Sequence, residues 1–328
     1  MTRKGAYNFF IIGCNRSGTS LLRTMLNHHP DVAVPLESIF LIDYLKAEKK
    51  ISIETQKRFL VHEPMLKEWG IKLDSRKLKK AKNISDLINL IHQEYADLNG
   101  KKYWGNKTPR MTRYGALIKK KVKEIKFVHL IRDPRATALS LTNSVIHKSN
   151  VYYGARRWER HVGAGIELEK KYPKDVLRIY FEDLVTSPEK ELRKICKFLN
   201  LRYSSAMFNY LKTGNQEYRK YHQGVHKNLN KKPDLRRIDY WKDKLSRREI
   251  EIIESVCGDL MQEVPYEPMF EKTNLKKADI YYYRLNRIYN FLYQTKRFLF
   301  YWPEYLFYTL LRKAVFGTFI EEIRGINY

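Results

Sequence analysis

The segment "FFIIGCNRSGTSLLRTMLNHHPDV", near the start of the chain, constrains its fold more than any other. An apolar run from Phe9 to Ile12 ends at Gly13, and Gly18 then opens a stretch with helical spacing at Leu21, Leu22, Met25 and Leu26. It reads as a buried strand, a glycine-bounded loop and a helix stopped near Pro30. Backbone amides from Ser17 to Leu21 would converge at the helix N-terminus, where the dipole favours an anion. Against the nucleotide-hydrolase pattern G-x-x-x-x-G-K-[ST], however, Thr19 stands where the lysine would be. Arg16, inside the loop, offers a forked cation in its place.

Two other stretches repeat the strand-to-helix alternation. "EIKFVHLIRDP", Glu124 to Pro134, leads into "RATALSLTNSV", and "DVLRIYFEDL", Asp175 to Leu184, leads into "EKELRKICKFLNL". From about Ser38 to Leu98 the spacing is helical. This alternation predicts an α/β fold of three layers, P-loop-like, with a central parallel sheet flanked by helices. Ligands in such sheets gather at the carboxyl ends of the strands, where all three predicted strands carry polar residues.

The 328 residues allow one large domain with a tail, expected here as residues 1–271 and 272–328. Lys plus Arg total 63 against 36 acidic residues, and a net charge of +27 calls for an anionic partner. Cys14, Cys196 and Cys257 are too scattered for a disulfide framework or a zinc site. The first apolar run is too short for a signal-peptide core, and no apolar stretch is long enough to span a bilayer, so a cytoplasmic, reducing compartment is expected. The strand-end acids Asp133 and Asp183 lack an obvious metal-binding setting, so no metal is expected.

Gly214 to Pro233 reads as a long polar loop, with helical spacing resuming after Asp234. Between Ile280 and Tyr308, thirteen of 29 residues are aromatic, interleaved with Arg284, Arg287, Lys296 and Arg297. That tail reads as two amphipathic helices broken at Pro303, suited to a peripheral position on an anionic membrane or to packing on the catalytic body.

The loop "GCNRSGTSLL" resembles the 5′-phosphosulfate loop of sulfotransferases that use 3′-phosphoadenosine 5′-phosphosulfate (PAPS), and "LIRDPRATALS" is similar to their 3′-phosphate motif. "GNKTP", Gly105 to Pro109, and "HKNLNKKPDLRRIDYWKDKL", His226 to Leu245, extend the resemblance toward the family's bacterial branch. It covers roughly residues 7 to 260. The loop, helix and "HP" turn look most like tyrosylprotein sulfotransferases.

What the resemblance implies is a donor site made of Asn15, Arg16, Ser17, Gly18, Thr19 and Ser20 at the 5′ end. Arg132 and Ser140 would hold the 3′-phosphate, joined by Arg237 or Arg236. Tyr180 would touch the adenine or the acceptor, unless it is a core aromatic. Lys107 and Arg16 would stabilise charge on the sulfuryl group and its leaving oxygen. A sulfuryl group carries less negative charge than a γ-phosphoryl, so fixed cations can serve without a metal. Glu37 would be the base that deprotonates the acceptor hydroxyl, with His29 and His129 as alternatives. The "PLES" run around Glu37 departs from the "GEE" of the tyrosylprotein group.

Each residue also has an ordinary reading. Glu37 could cap the helix near Ser38, Lys107 could be a solvated charge, and Arg132 could pair with Asp133 on the surface. The acceptor expected is a saccharide or lipid-linked saccharide, which an enzyme with a membrane-seeking tail would meet, with a tyrosyl peptide as the alternative. A metal-dependent small-molecule kinase shares the loop outline, and a nucleic-acid binder would account for the charge. The absent lysine argues against the first, and the scatter of basic residues with no binding-module motif argues against the second.

Overall fold

The computed structural model describes residues 5–144, 149–213, 231–271 and 273–318. Most of the segment expected as a long loop, 214–230, lies outside the described residues, as does the start of the basic segment His226 to Leu245.

Five parallel strands form the sheet: β1 Phe9–Gly13, β2 Val32–Ala33, β3 Tyr103–Lys107, β4 Lys126–Ile131 and β5 Val176–Tyr180. Their order is β2-β3-β1-β4-β5, which puts β1 at the centre with β3 on one side and β4 on the other. In register, Phe10 lies beside Asn106 of β3 and Phe127 of β4. The loop after β1 therefore emerges between the ends of its two neighbours, a position from which both can reach it.

The sheet is covered on both faces, and β1 shows why its sequence is apolar throughout. Phe10 and Ile12 point into a cluster with Leu87, Ile88 and Ile118, while Phe9 and Ile11 point into another with Leu22, Met25, Leu192 and Ile195. Each such side chain, fully buried, contributes roughly 1.5 to 3 kcal/mol. The helix after β1, α1 (Thr19–Asn27), stops before Pro30, and the helix after β4, Pro134–Thr142, starts on a proline capped by Asp133.

The structure differs from the sequence reading at three places. The expected third strand, Asp175 to Leu184, is a strand only from Val176 to Tyr180; Phe181–Thr186 is a helix, because Phe181 turns in to pack on the loop. The strand Tyr103–Lys107 has no long apolar run, since its centre is Gly105, which takes the closest approach of Phe9. The two-residue β2 is too short to leave any periodic signal.

The tail forms two helices, Lys277–Tyr301 and Pro303–Phe316, meeting at Trp302. Trp302 and Phe316 join the core cluster. Arg312, 1% exposed, pairs with Asp43 at 3.1 Å and with Glu63, tying the last helix to the helical region that follows Glu37. No helix among the described residues is long and apolar enough to cross a membrane.

Candidate functional site

Backbone geometry shapes the loop first. Gly13 has φ +147°, and a Cβ there would lie 2.3 Å from the carbonyl oxygen of Leu130. Its amide donates to Thr112 Oγ1 at 2.8 Å, and its carbonyl accepts from His161 Nδ1. Burial, with Arg157 beside it, pushes His161 down to about 3, so the ring is neutral and can donate only from one nitrogen. Arg16 adopts φ +71°, which non-glycine residues adopt sparingly and mostly at functional turns. Gly18 follows at φ +90° as the N-cap of α1 and supplies no side-chain cap, so the first-turn amides have no such partner. A Cβ on Gly18 would lie 2.3 Å from the ring of Phe181. Asn15, Ser17 and Thr19 are buried, and Ser17 Oγ has no hydrogen-bond partner among the described residues.

On the β4 side the loop meets a group of cations. Arg132 Nη1 donates to the Arg16 carbonyl at 3.1 Å, and Nη2 to the Arg237 carbonyl at 2.8 Å. Its guanidinium lies 4.4 Å from the Phe181 ring centroid. Its Nε, a buried charged donor, has no partner among the described residues. The Arg16 side chain turns the same way, donating from Nε to Ser140 Oγ at 3.1 Å. Burial lowers Arg16 to about 10, with the neighbouring charges of Arg132 and Arg237 adding to the shift.

Asp133 does not pair with Arg132. It caps the following helix through the Arg135 amide and forms a 2.7 Å ion pair with Arg135, which also binds Glu254. Arg236 is tied to Asp234 on the surface, whereas the charge of Arg237 is felt by both Arg16 and Arg132.

On the β3 side, Lys107 Nζ lies 2.6 Å from Glu37 Oε1 and 3.3 Å from Ser20 Oγ at the head of α1. Lys107 is 2% exposed and Glu37 31%, so the ammonium is enclosed and the carboxylate reaches outward. A network behind them fixes this pair. Thr108 Oγ1 accepts from the Ser38 amide at 2.9 Å, and Asn106 Nδ2 donates to Ser38 Oγ and lies 2.8 Å from His92 Nε2. The sequence reading quoted Asn106 and Thr108 only within "GNKTP" and gave no role to them, to Ser38 or to His92, which are ordinary polar residues until the fold brings them together.

The alternative bases have other partners. His29 bonds the Arg202 carbonyl and the Asp31 amide, holding the turn after α1. His129 is buried inside β4 against Glu169. Tyr180 lies against Tyr266 on a cavity it shares with Asp133 and Trp241, while its neighbour Phe181 is the aromatic that touches the loop and Arg132. Phe181 was missed because strand alternation was extended past the strand's end. Among the described residues no group of His, Cys, Asp or Glu is arranged to hold a metal.

Orphaned Ser17 Oγ and Arg132 Nε, the uncapped α1 N-terminus and the excess of cations fit a ligand with two anionic groups, one at each side of β1.

A family model described as "Sulfotransferase family" matches residues 8–205. Among curated proteins, the chain is 28% identical over 207 residues to a protein-tyrosine sulfotransferase of Drosophila melanogaster, covering 61% of this chain and 39% of that one. It is 27% identical over 213 residues to protein-tyrosine sulfotransferase A of Caenorhabditis elegans, covering 61% and 52%. The chain thus spans from about two fifths to about half of the length of these two relatives. Among solved structures, a sulfotransferase domain from the curacin biosynthetic pathway superposes with a TM-score of 0.52 at 19% identity, covering 79% of this chain and 99% of that domain. The sulfotransferase domain of the Synechococcus PCC 7002 olefin synthase gives a TM-score of 0.52 at 20% identity over 78% and 96%. At these identities the two domains speak for the fold.

Proposed function

The chain belongs to the sulfotransferase family, and from that membership we propose that it moves a sulfuryl group from PAPS to a hydroxyl acceptor. The observation that carries the proposal is the two-sided arrangement around β1: the Glu37–Lys107 pair at Ser20 on one side, Arg132, Arg16 and Ser140 on the other. It matches a donor with anions at both ends of a nucleoside.

In this reading the loop amides from Ser17 to Leu21, with the Ser17 and Ser20 hydroxyls and buried Asn15 and Thr19, hold the 5′-phosphosulfate. Arg132 and Ser140 hold the 3′-phosphate, with Arg237 adding charge at its rim. Arg16 belongs with that second group, because its side chain bonds Ser140; the sulfuryl role expected for it falls to Lys107. Phe181 supports the cation and closes the loop, and Tyr180 lies one step further out.

Glu37 takes the proton of the acceptor hydroxyl as its oxygen forms a bond to sulfur. The bond between sulfur and the bridging oxygen of the 5′-phosphate breaks, and Lys107 stabilises charge on that oxygen. The products are a sulfate ester and 3′-phosphoadenosine 5′-phosphate. Residues 1–271 supply this chemistry, and the helices Lys277–Tyr301 and Pro303–Phe316 are fastened to them in part through Arg312.

The acceptor supported best is the phenolic hydroxyl of a tyrosine, since the relatives named above are protein-tyrosine sulfotransferases. The saccharide acceptor expected from the tail has no comparable support. Transfer of labelled sulfate from PAPS is the test, using a tyrosine-containing peptide, its phenylalanine counterpart and a neutral oligosaccharide. Label on the first alone supports the reading. Label on the oligosaccharide alone would overturn the acceptor, and label on none while PAPS is consumed would point to an acceptor of another class.

A further inference from the structure

The two C-terminal helices carry apolar side chains on the faces turned away from the rest of the chain. In Lys277–Tyr301 the face turned to the rest of the chain is mixed: Tyr283 stacks on Tyr152, the Tyr283 carbonyl and Asn286 accept from Asn150 Nδ2, Asn290 is 5% exposed, and Arg287 lies over the Tyr153 ring. The opposite face carries Tyr281, Leu285, Ile288, Leu292 and Leu299, between 50% and 65% exposed. At 100° per residue these five fall within an arc of about 60°, a single stripe along the helix.

Pro303–Phe316 also turns apolar side chains outward, although Phe316 at its end packs inward on Tyr44 and Phe59, and Trp302 before it is buried. Its inward face buries Arg312 between Asp43 and Glu63, and its outward face exposes Phe307, Leu310, Leu311 and Val315 by 42% to 71%. A surface helix ordinarily turns polar residues outward, and a contiguous exposed apolar stripe marks something that covers it.

We propose that the outward faces of these two helices form a docking surface for an anionic lipid bilayer. Charge selects this occupant. Arg284 and Lys296, both exposed, flank the Tyr281–Leu299 stripe on either side, where long cationic side chains can reach headgroups while the stripe enters the acyl boundary. A second copy of the chain would bring another net charge of +27 toward the same face. Neither helix is apolar enough to cross the bilayer, so the contact lies along its surface. The proposal is independent of the acceptor and of the transfer chemistry.

The test is co-sedimentation of the full chain with phosphatidylcholine vesicles containing phosphatidylserine, and with pure phosphatidylcholine vesicles, beside the variant Leu285→Glu/Ile288→Glu/Leu292→Glu. These three side chains are exposed, so the variant keeps the wild-type melting temperature. The expected result is binding to the anionic vesicles that drops by about tenfold or more in the variant, since three carboxylates meet the acyl boundary and the anionic surface. Equal binding of both chains would mean that the overall charge, not the stripe, holds the protein. No binding by the wild type, or a wild-type dimer in light scattering that the variant dissolves, would also overturn it.

Discussion

Lys107 and Glu37 stand 70 positions apart in the chain, yet their charged atoms meet at 2.6 Å beside the head of α1. Lys107 is the last residue of β3, next to central β1, and Glu37 follows the short edge strand β2, so the sheet itself brings them together. If Glu37 is the base, Glu37→Gln keeps the shape and a hydrogen bond to Lys107 but removes proton uptake. Turnover should fall by about 10²- to 10⁴-fold. Affinity for 3′-phosphoadenosine 5′-phosphate, measured by calorimetry, should stay within about twofold, because the carboxylate does not hold the donor.

The cation group makes a different forecast. Arg132→Ala removes the buried guanidinium proposed to hold the 3′-phosphate and should weaken the bisphosphate by about 1.5 to 3 kcal/mol, the worth of hydrogen bonds to a charged group. Of the adjacent pair, Arg237→Ala should weaken it about twofold to fivefold, and Arg236→Ala not at all, because Arg236 is held by Asp234. Reversed effects of the last two would show that the wrong arginine has been chosen.

At Gly18 two constraints act together: a left-handed backbone and the Phe181 ring 2.3 Å from where a Cβ would stand. Gly18→Ala should destabilise by roughly 1 to 3 kcal/mol and abolish bisphosphate binding. Adding Phe181→Ala relieves the clash but leaves the backbone cost, so binding should stay impaired. Full recovery in that double variant would mean that the ring alone matters.

Burial pushes His92 down to about 4 from an ordinary 6.5, and its Nε2 faces the Asn106 amide that also holds Ser38 beside Glu37. The unfolded chain therefore takes a proton that the folded one refuses. Stability from this source is complete above about pH 6.5 and drains away as pH falls toward 4, by up to ~3 kcal/mol. Glu63, raised to about 6 by burial, runs the other way, favouring the fold at low pH and losing that contribution as pH rises through 6. Urea unfolding of His92→Gln beside wild type from pH 4 to 7 isolates the first effect: the variant's stability should vary less. Parallel curves would place the acid sensitivity elsewhere.

Arg312→Ala leaves the buried carboxylate of Glu63 without its ion-pair partner and that of Asp43 with Lys313 alone, and should cost about 3 to 5 kcal/mol in urea unfolding. Loss below about 1 kcal/mol would mean that the last helix is fastened by Trp302 and Phe316 alone.

The sequence made the centre of this molecule legible and its flanks less so. β1 and β4 are read easily because both faces are buried and their runs are apolar apart from Lys126 and His129 of β4, and the loop is read from two glycines that the backbone cannot do without. β3 escaped because its glycine and its polar end, Asn106 and Lys107, are selected by packing and by the site rather than by periodicity. Arg16 was legible as a cation, but its direction, toward Ser140, is set by the left-handed turn at its own backbone. The network of His92, Asn106, Ser38 and Thr108 could not be read as a network, although Asn106 and Thr108 lie in "GNKTP", since four common residues acquire a joint role only through contacts between β3 and its neighbours.

The most direct test of the central claim is thermal melting of the full chain with 3′-phosphoadenosine 5′-phosphate, with ATP and Mg²⁺ as the parallel ligand and Arg132→Ala as the control. At ligand well above its dissociation constant the account predicts a gain of about 2 to 4 kcal/mol with the bisphosphate, lost in the variant. No gain, or a larger one with ATP and Mg²⁺, would contradict it.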